Sequence, residues 1–146
     1  MHTAGDGKLV HGDPSRANFI ALSSGGSGMI DFGSSGIGDS VPAVGRGTLP
    51  YAAPELCRGE AAPSQMTDRY AISVLVAELC GVRVSAHASG PAALLEIGER
   101  GHDIAAIHAS NLAAPLRAAL AGLLAFEPAA RPSSLCELRA ALDRVA

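Results

Sequence analysis

The sequence predicts an α+β fold in a single domain, on three observations. The length of 146 residues suits one ordinary domain with one core. Before about Ala52 the chain is rich in glycine and has only short apolar runs, whereas the remainder repeats apolar residues at helical spacing. With no tryptophan, three phenylalanines and two tyrosines, the core must be filled mainly by leucine, isoleucine, valine and alanine.

The first third of the chain predicts a small sheet. Its strand candidates are short apolar segments at residues 9–10, 19–22 and 29–30. The serine- and glycine-rich run at residues 23–28 is typical of a hairpin turn between the last two. Residues 34–50 lack sustained periodicity, and a compact domain rarely keeps so long a loop unless it is functional or mobile.

Four helices are predicted after the sheet. The first covers about residues 67–80 and is apolar nearly all round, so it should be buried. The second covers residues 91–99, and the third lies within residues 112–126. The fourth begins at Ser134, where an S-x-x-E sequence matches a capping box.

Charge and composition exclude several classes of partner. The 11 Lys and Arg residues against 14 Asp and Glu give a net charge of −3, which disfavours nucleic acid and anionic membrane surfaces. The chain lacks a signal-peptide pattern, and its longest apolar tract, residues 112–126, is too short to cross a bilayer. We therefore expect no nucleic-acid partner, no membrane segment and a cytoplasmic location.

The cysteines and histidines give no metal-ligand signal. The three cysteines show no C-x-x-C spacing, and their odd number does not suit a disulfide framework, so a reducing compartment fits them best. His2, His87, His102 and His108 have no metal-ligand spacing and are interpreted as surface or capping groups.

Two carboxylates and an amide are clustered in the glycine-rich part. Asn18 and Asp31 offer the hard oxygen ligands that suit Mg²⁺, and the open end of the hairpin would bring them near one another. Asp13 could then orient a hydroxyl nucleophile. Taken alone, aspartates in turns are more often capping groups.

Five motifs in order resemble those of one family. Residues 11–18 (HGDPSRAN) resemble the catalytic loop H-R-D-x-x-x-x-N, residues 31–33 read D-F-G, and residues 47–55 (GTLPYAAPE) resemble G-T-x-x-Y-x-A-P-E. Asp68 resembles a central-helix aspartate, and residues 128–132 a P-x-x-R-P turn. The chain therefore resembles a eukaryotic-like, bacterial-type serine/threonine protein kinase, over nearly its whole length.

This resemblance implies a mainly helical C-lobe with a small hairpin. It implies a partial kinase domain over residues 1–146, with the catalytic loop at 11–18, the activation segment at 31–55 and a helical subdomain at 56–146.

The resemblance also implies a role for each matching residue. Asp13 would be the catalytic base, while Asn18 and Asp31 would hold Mg²⁺ on the phosphates of ATP. Thr48 would shape the platform for a protein serine or threonine substrate. Asp68 would hold the catalytic-loop backbone, and the implied structural residues are His11, Phe32, Gly33, Glu55, Asp68 and Arg131, with an ion pair between Glu55 and Arg131.

Two departures from the kinase pattern leave alternatives open. Gly12 replaces the usual arginine, and Ser15 stands where serine/threonine kinases usually have a lysine, with Arg16 one step further on. These departures favour a pseudokinase-like interaction module without catalysis. The triplet His-Gly-Asp is also common in aminoglycoside and choline phosphotransferases, although the segment at residues 47–55 favours a protein substrate.

The sequence also lacks the parts that a kinase N-lobe supplies. No glycine-rich loop, strand lysine or helix glutamate precedes His11. We therefore expect a C-lobe that is inactive by itself and pairs with a separate N-lobe or self-associates. Tyr70, Val74 and Leu75 of the central helix are expected to keep an exposed apolar face.

Overall fold

The structure is a computed structural model that describes residues 9–37, 48–85 and 89–145. These residues form an α+β fold, as predicted. The strands are β1 (Leu9–Val10), β2 (Phe19–Ala21), β3 (Ser27–Met29) and β4 (Gly36–Ile37). The helices are α1 (Pro54–Cys57), α2 (Gln65–Leu79), α3 (Pro91–Arg100), α4 (Ile104–Ala109), α5 (Ala114–Leu123) and α6 (Cys136–Leu142).

The strands form two antiparallel pairs. The predicted hairpin is confirmed: β2 pairs with β3 in the register Phe19↔Met29. The strand at residues 9–10 does not join that sheet, because β1 pairs with β4, with Leu9 opposite Ile37. A two-residue strand carries too little side-chain alternation for its sequence to select a partner.

The helical part is built around α2. The predicted helix over residues 67–80 is confirmed with a slightly earlier start, but the expected exposed face is wrong. Tyr70, Val74 and Leu75 are all buried in a core shared with α5, α6 and the segment before α1. The helices that follow α2 in the chain therefore cover it, and the fold needs no further element to bury these side chains.

The short helices escaped prediction, as did the position of the capping box. Helices α1 and α4 are too short to show a periodic pattern. The capping box lies at the start of α2, where Ser64 Oγ accepts from the Thr67 N–H and Thr67 Oγ1 accepts from the Ser64 N–H. At Ser134 the predicted box is absent, because α6 begins only at Cys136 after an N-cap leucine.

None of the helices in the described part of the chain is both long enough and apolar enough to cross a membrane.

Candidate active site

A buried carboxylate of α2 fixes the start of the loop at residues 11–18. Asp68 Oδ2 accepts a hydrogen bond of 2.6 Å from the His11 N–H, and Oδ1 accepts one of 3.0 Å from the Gly12 N–H. Burial raises the pKa of the Asp68 carboxyl above its usual range, and the two N–H donors partly offset that shift. The carboxylate thereby ties the loop to the most buried helix.

Gly12 lets the segment after Asp31 lie directly against this loop. Its φ of 83° is in the left-handed region, and a Cβ at this position would lie 2.4 Å from the Ser34 carbonyl oxygen. The Ser35 hydroxyl donates to the His11 carbonyl oxygen at 3.0 Å. Only glycine therefore fits this close approach, which gives a physical reason why no arginine stands at this position.

Asp13, Asn18 and Thr48 lie together. Thr48 donates to the Asp13 carboxylate from its N–H at 2.7 Å and from its hydroxyl at 2.9 Å. The Asn18 amide Nδ2 donates to the Asp13 carbonyl oxygen at 3.0 Å and to Asp13 Oδ2 at 3.3 Å. Neither bond uses the amide oxygen of Asn18. The loop therefore presents a fixed carboxylate with an amide oxygen beside it.

The His11 ring joins this loop to the residue before Asp31. Its Nε2 donates to the Ile30 carbonyl oxygen at 3.1 Å, and its Nδ1 accepts from the Asp13 N–H at 3.3 Å. This pair of bonds assigns the ring hydrogen to Nε2, since a carbonyl oxygen can only accept. His11 thus connects the loop to the end of the hairpin.

Asp31 stands at the open end of the hairpin, as predicted. The Ile30 N–H donates to the Asn18 carbonyl oxygen at 2.9 Å, which places residue 31 next to the loop. Asp31 has a φ of 60°, an uncommon left-handed conformation for a residue with a side chain, and its exposed carboxylate accepts from the Gly33 N–H at 3.2 Å. The Phe32 ring packs against the His11 ring at 4.8 Å.

The described residues contain no group of three or more His, Cys, Asp or Glu side chains arranged to hold a metal ion. The amide oxygen of Asn18 and the carboxylate of Asp31 remain as hard oxygen donors on adjoining segments. The backbone bond from Ile30 to Asn18 brings the two segments together, but no hydrogen bond of the described residues joins Asn18 to Asp31 itself.

A buried ion pair anchors the segment that follows Thr48. Arg131 binds Glu55 through two bonds of 2.6 and 2.8 Å, so the predicted pair is confirmed. The guanidinium also donates to the carbonyl oxygens of Ala125 and Phe126 and lies 4.5 Å from the Tyr70 ring centre. The Nε, Nη1 and Nη2 groups of Arg131 thereby all donate to protein atoms.

His102 is a part of this architecture that sequence reasoning missed. It is buried, its Nε2 donates to the Pro50 carbonyl oxygen, and its Nδ1 accepts from the Tyr70 hydroxyl. Burial lowers the pKa of His102. The interpretation as a surface or capping histidine is wrong, because its partners lie 32 and 52 residues away in sequence.

Tyr51 provides a second polar tie for the same segment. Its hydroxyl donates to Glu78 at 2.8 Å, and burial together with this carboxylate raises the pKa of Tyr51 to about 12. Thr48 is thus held on Asp13 by a segment with anchors at residues 50, 51 and 55.

Ser15 does not line the exposed face of the site. It is fully buried, and its hydroxyl has no hydrogen-bond partner among the described residues. Arg16, by contrast, is exposed. Any cation that the loop offers to a ligand therefore comes from residue 16.

No protein-family model matches the sequence, and a search of the curated proteins finds no match.

Proposed function

We propose that the chain is the C-lobe of a serine/threonine protein kinase, which transfers the γ-phosphate of ATP to a protein hydroxyl when an N-lobe is present. One observation carries the proposal. The Asp13 carboxylate is held jointly by Asn18 and Thr48, on a loop that Asp68 fixes to the core. A carboxylate in such a position can accept or orient the proton of a hydroxyl nucleophile.

The second part of the proposal concerns Mg²⁺ and ATP. The Asn18 amide oxygen and the Asp31 carboxylate fit Mg²⁺, a cation that binds few protein oxygens and takes its other ligands from phosphates and water. The metal would neutralise charge on the phosphates. Phosphoryl transfer then asks this chain mainly to position the nucleophile and the metal.

The third part concerns a second lobe. Both two-stranded sheets and the residues next to their strands expose apolar side chains, which supports pairing with an N-lobe or self-association. The exposed residues are Leu9, Ile20, Leu22, Ile30, Phe32 and Ile37. We expect weak or absent binding of ATP by this chain alone, because a kinase takes its other phosphate contacts, a glycine-rich loop and a strand lysine, from the N-lobe.

A cytoplasmic location is part of the proposal. Cys80 and Cys136 form no disulfide in the described part of the chain, which supports a reducing compartment.

Particular observations favour two other functions. At the position where serine/threonine kinases usually have a lysine the loop has the buried Ser15, which favours an interaction module without catalysis. The tight fit of Gly12 favours a phosphotransferase for small aminoglycoside- or choline-like substrates, in which His-Gly-Asp is common. The contact of Thr48 with Asp13 supports the protein kinase more strongly, since the segment carrying Thr48 is the one that resembles a peptide platform.

A chimera tests the proposal. The chain is fused behind the N-lobe of a bacterial serine/threonine kinase, and transfer of radiolabelled γ-phosphate to serine peptides, kanamycin and choline is measured. We expect transfer to the peptide, with Asp13→Asn lowering the rate at least about 100-fold. Asp143→Asn, an exposed change on the last turn, is the matched control.

Three outcomes would contradict the proposal in different ways. Transfer to kanamycin or choline alone would favour the small-molecule enzyme. A folded chimera that binds Mg²⁺–ATP and phosphorylates nothing would favour the interaction module. Ordinary kinase rates from the chain by itself would refute the need for a second lobe.

A further inference from the structure

A groove between α1 and α3 lies apart from the candidate active site. Its volume is about 680 Å³, within the range of about 300–1,000 Å³ that ligand sites span. Three segments line it: the end of α1 with the turn after it, one face of α3, and the residues before the turn at 128–130. The lining residues are Cys57, Arg58, Glu60, Leu94, Leu95, Gly98, Glu99, Phe126 and Glu127.

Among the described residues that line this groove, Arg58 is the one cation, and its side chain already has partners. Arg58 donates to Glu60 at 2.6 Å and to the Gly98 carbonyl oxygen at 3.0 Å, and its guanidinium lies 4.8 Å from the Phe126 ring centre. These contacts hold the side chain across the groove and stack it on an aromatic face. Arg58 is therefore part of the groove wall and is a poor counter-ion for an incoming anion.

Carboxylates dominate the rest of the rim. Glu60, Glu99 and Glu127 together with Arg58 give the lining a net charge of −2, from three acids and one base. Glu99 and Glu127 are exposed. A cationic side chain entering the groove would meet a net negative charge at its edge.

The remaining wall is aliphatic. Leu95 is 62% exposed although it lies in the middle of α3, and Leu94 beside it is half-buried. The apolar surface of such a leucine is in contact with water in the free protein. Covering it with an apolar side chain removes that surface from water, which is favourable.

We propose that this groove binds a protein segment in which an aliphatic residue is flanked by arginine or lysine. The aliphatic side chain would cover Leu94 and Leu95, and the flanking cations would meet Glu99 and Glu127. The proposal is independent of the proposed function, because none of the lining residues contacts Asp13, Asn18 or Asp31 in the described structure.

A peptide probe tests it with the complete 146-residue chain. Fluorescence anisotropy measures binding of a labelled short peptide in which leucines are flanked by arginines. Comparison peptides replace the arginines by glutamates or the leucines by serines. We expect binding of the first peptide only, weakened by added salt.

Charge reversal on the rim gives the matched pair of variants. We expect Glu99→Lys to weaken the affinity of the arginine peptide at least about tenfold, and Leu95→Ser to weaken it similarly. Glu137→Lys makes the same charge change on an exposed position of α6 outside the groove and should leave the affinity unchanged. Thermal melting checks that each variant is folded, and Glu127→Lys replaces Glu99→Lys if the latter does not fold.

Three results would overturn the proposal. Equal binding of the arginine and glutamate peptides would exclude charge recognition. Equal weakening by Glu99→Lys and Glu137→Lys would show general attraction to an acidic chain. A loss of dimers in Leu95→Ser, with no peptide binding by the parent chain, would show that the groove belongs to a contact between two copies.

Discussion

The helical body (residues 54–142) and the strand-bearing part (residues 9–37) differ in how far their apolar side chains are buried. In the helical body the core is closed, and even the charged pair of Glu55 and Arg131 is buried with its hydrogen bonds made. The two sheets and the residues next to their strands instead expose most of their large apolar side chains, and Ile37 is 68% exposed. The helical body can therefore supply the stability of the fold, while the strand-bearing part carries the candidate chemistry.

Hydrogen bonds from both sides of the loop at residues 11–18 join the two parts. Asp68 of α2 holds the backbone of the loop at residues 11–18, and Thr48 holds its carboxylate. A stable scaffold can therefore hold a site in position while the strands beside that site keep exposed apolar side chains.

The largest effect is expected in the helical body. Arg131→Ala leaves the Glu55 carboxylate buried without its partner, and we expect a loss of about 4 kcal/mol in the free energy of unfolding. Urea denaturation measures it. Arg139→Ala, which removes an arginine from an exposed pair with Asp143, should cause almost no change. Equal effects of the two substitutions would contradict the anchoring role of Arg131.

The next effect concerns the contact between the loop and the segment after Asp31. Gly12→Ala should lower the free energy of unfolding by about 2–3 kcal/mol, because the new Cβ meets the Ser34 carbonyl in a left-handed conformation. Gly25 has nearly the same φ, but a Cβ there would meet no atom within 4 Å, so Gly25→Ala should lower the free energy of unfolding by only about 1 kcal/mol. Denaturation of both variants isolates the steric contribution, and identical losses would refute the close approach.

A smaller effect separates the observed capping box from the predicted one. Ser64→Ala removes the cap of α2 and should lose about 1 kcal/mol in the free energy of unfolding. Ser134→Ala should change it by less than about 0.5 kcal/mol, since it removes one exposed hydrogen bond of 3.3 Å from the Cys136 N–H and no capping box. Chemical denaturation decides between them, and the reverse order would restore the box at residue 134.

The fourth prediction concerns pH. Burial lowers the pKa of His102 in the folded chain. As the pH falls through the usual histidine pKa of about 6.5, the unfolded chain therefore binds more protons than the folded chain. The folded chain should therefore lose stability on acidification, and His102→Gln should lose less over the same range. Melting at several pH values measures this, with His108→Gln, an exposed position on α4, as the control. Parallel profiles for the parent chain and His102→Gln would contradict it.

The smallest effect on stability is expected in the sheets. Ile20→Thr combined with Ile37→Thr keeps β-branching at two exposed positions and should change the free energy of unfolding by less than about 0.5 kcal/mol. It should nevertheless reduce self-association in sedimentation experiments. Val145→Thr, an exposed apolar position near the end of the chain, is the control. Unchanged self-association would show that the sheets do not form the interface between copies of the chain.

Local patterns in the sequence determined several features of the fold. The hairpin between β2 and β3 followed from apolar runs around a serine- and glycine-rich turn, and α2 and α5 from helical periodicity. The pair of Glu55 and Arg131 was available only through resemblance to a family, because residues 76 apart carry no local signal of contact.

Tertiary structure alone decided the features that depend on distant partners. One such feature is the pairing of β1 with β4. Others are the burial of Tyr70, Val74 and Leu75 of α2 and the hydrogen bonds of His102 to Tyr70 and Pro50. All of them join segments that are far apart in sequence. A short strand or a single histidine has many acceptable environments, and packing selects one of them. The sequence by itself thus determined the class of fold and the candidate residues, whereas tertiary contacts decided which face is closed and which stays open, because burial depends on every segment at once.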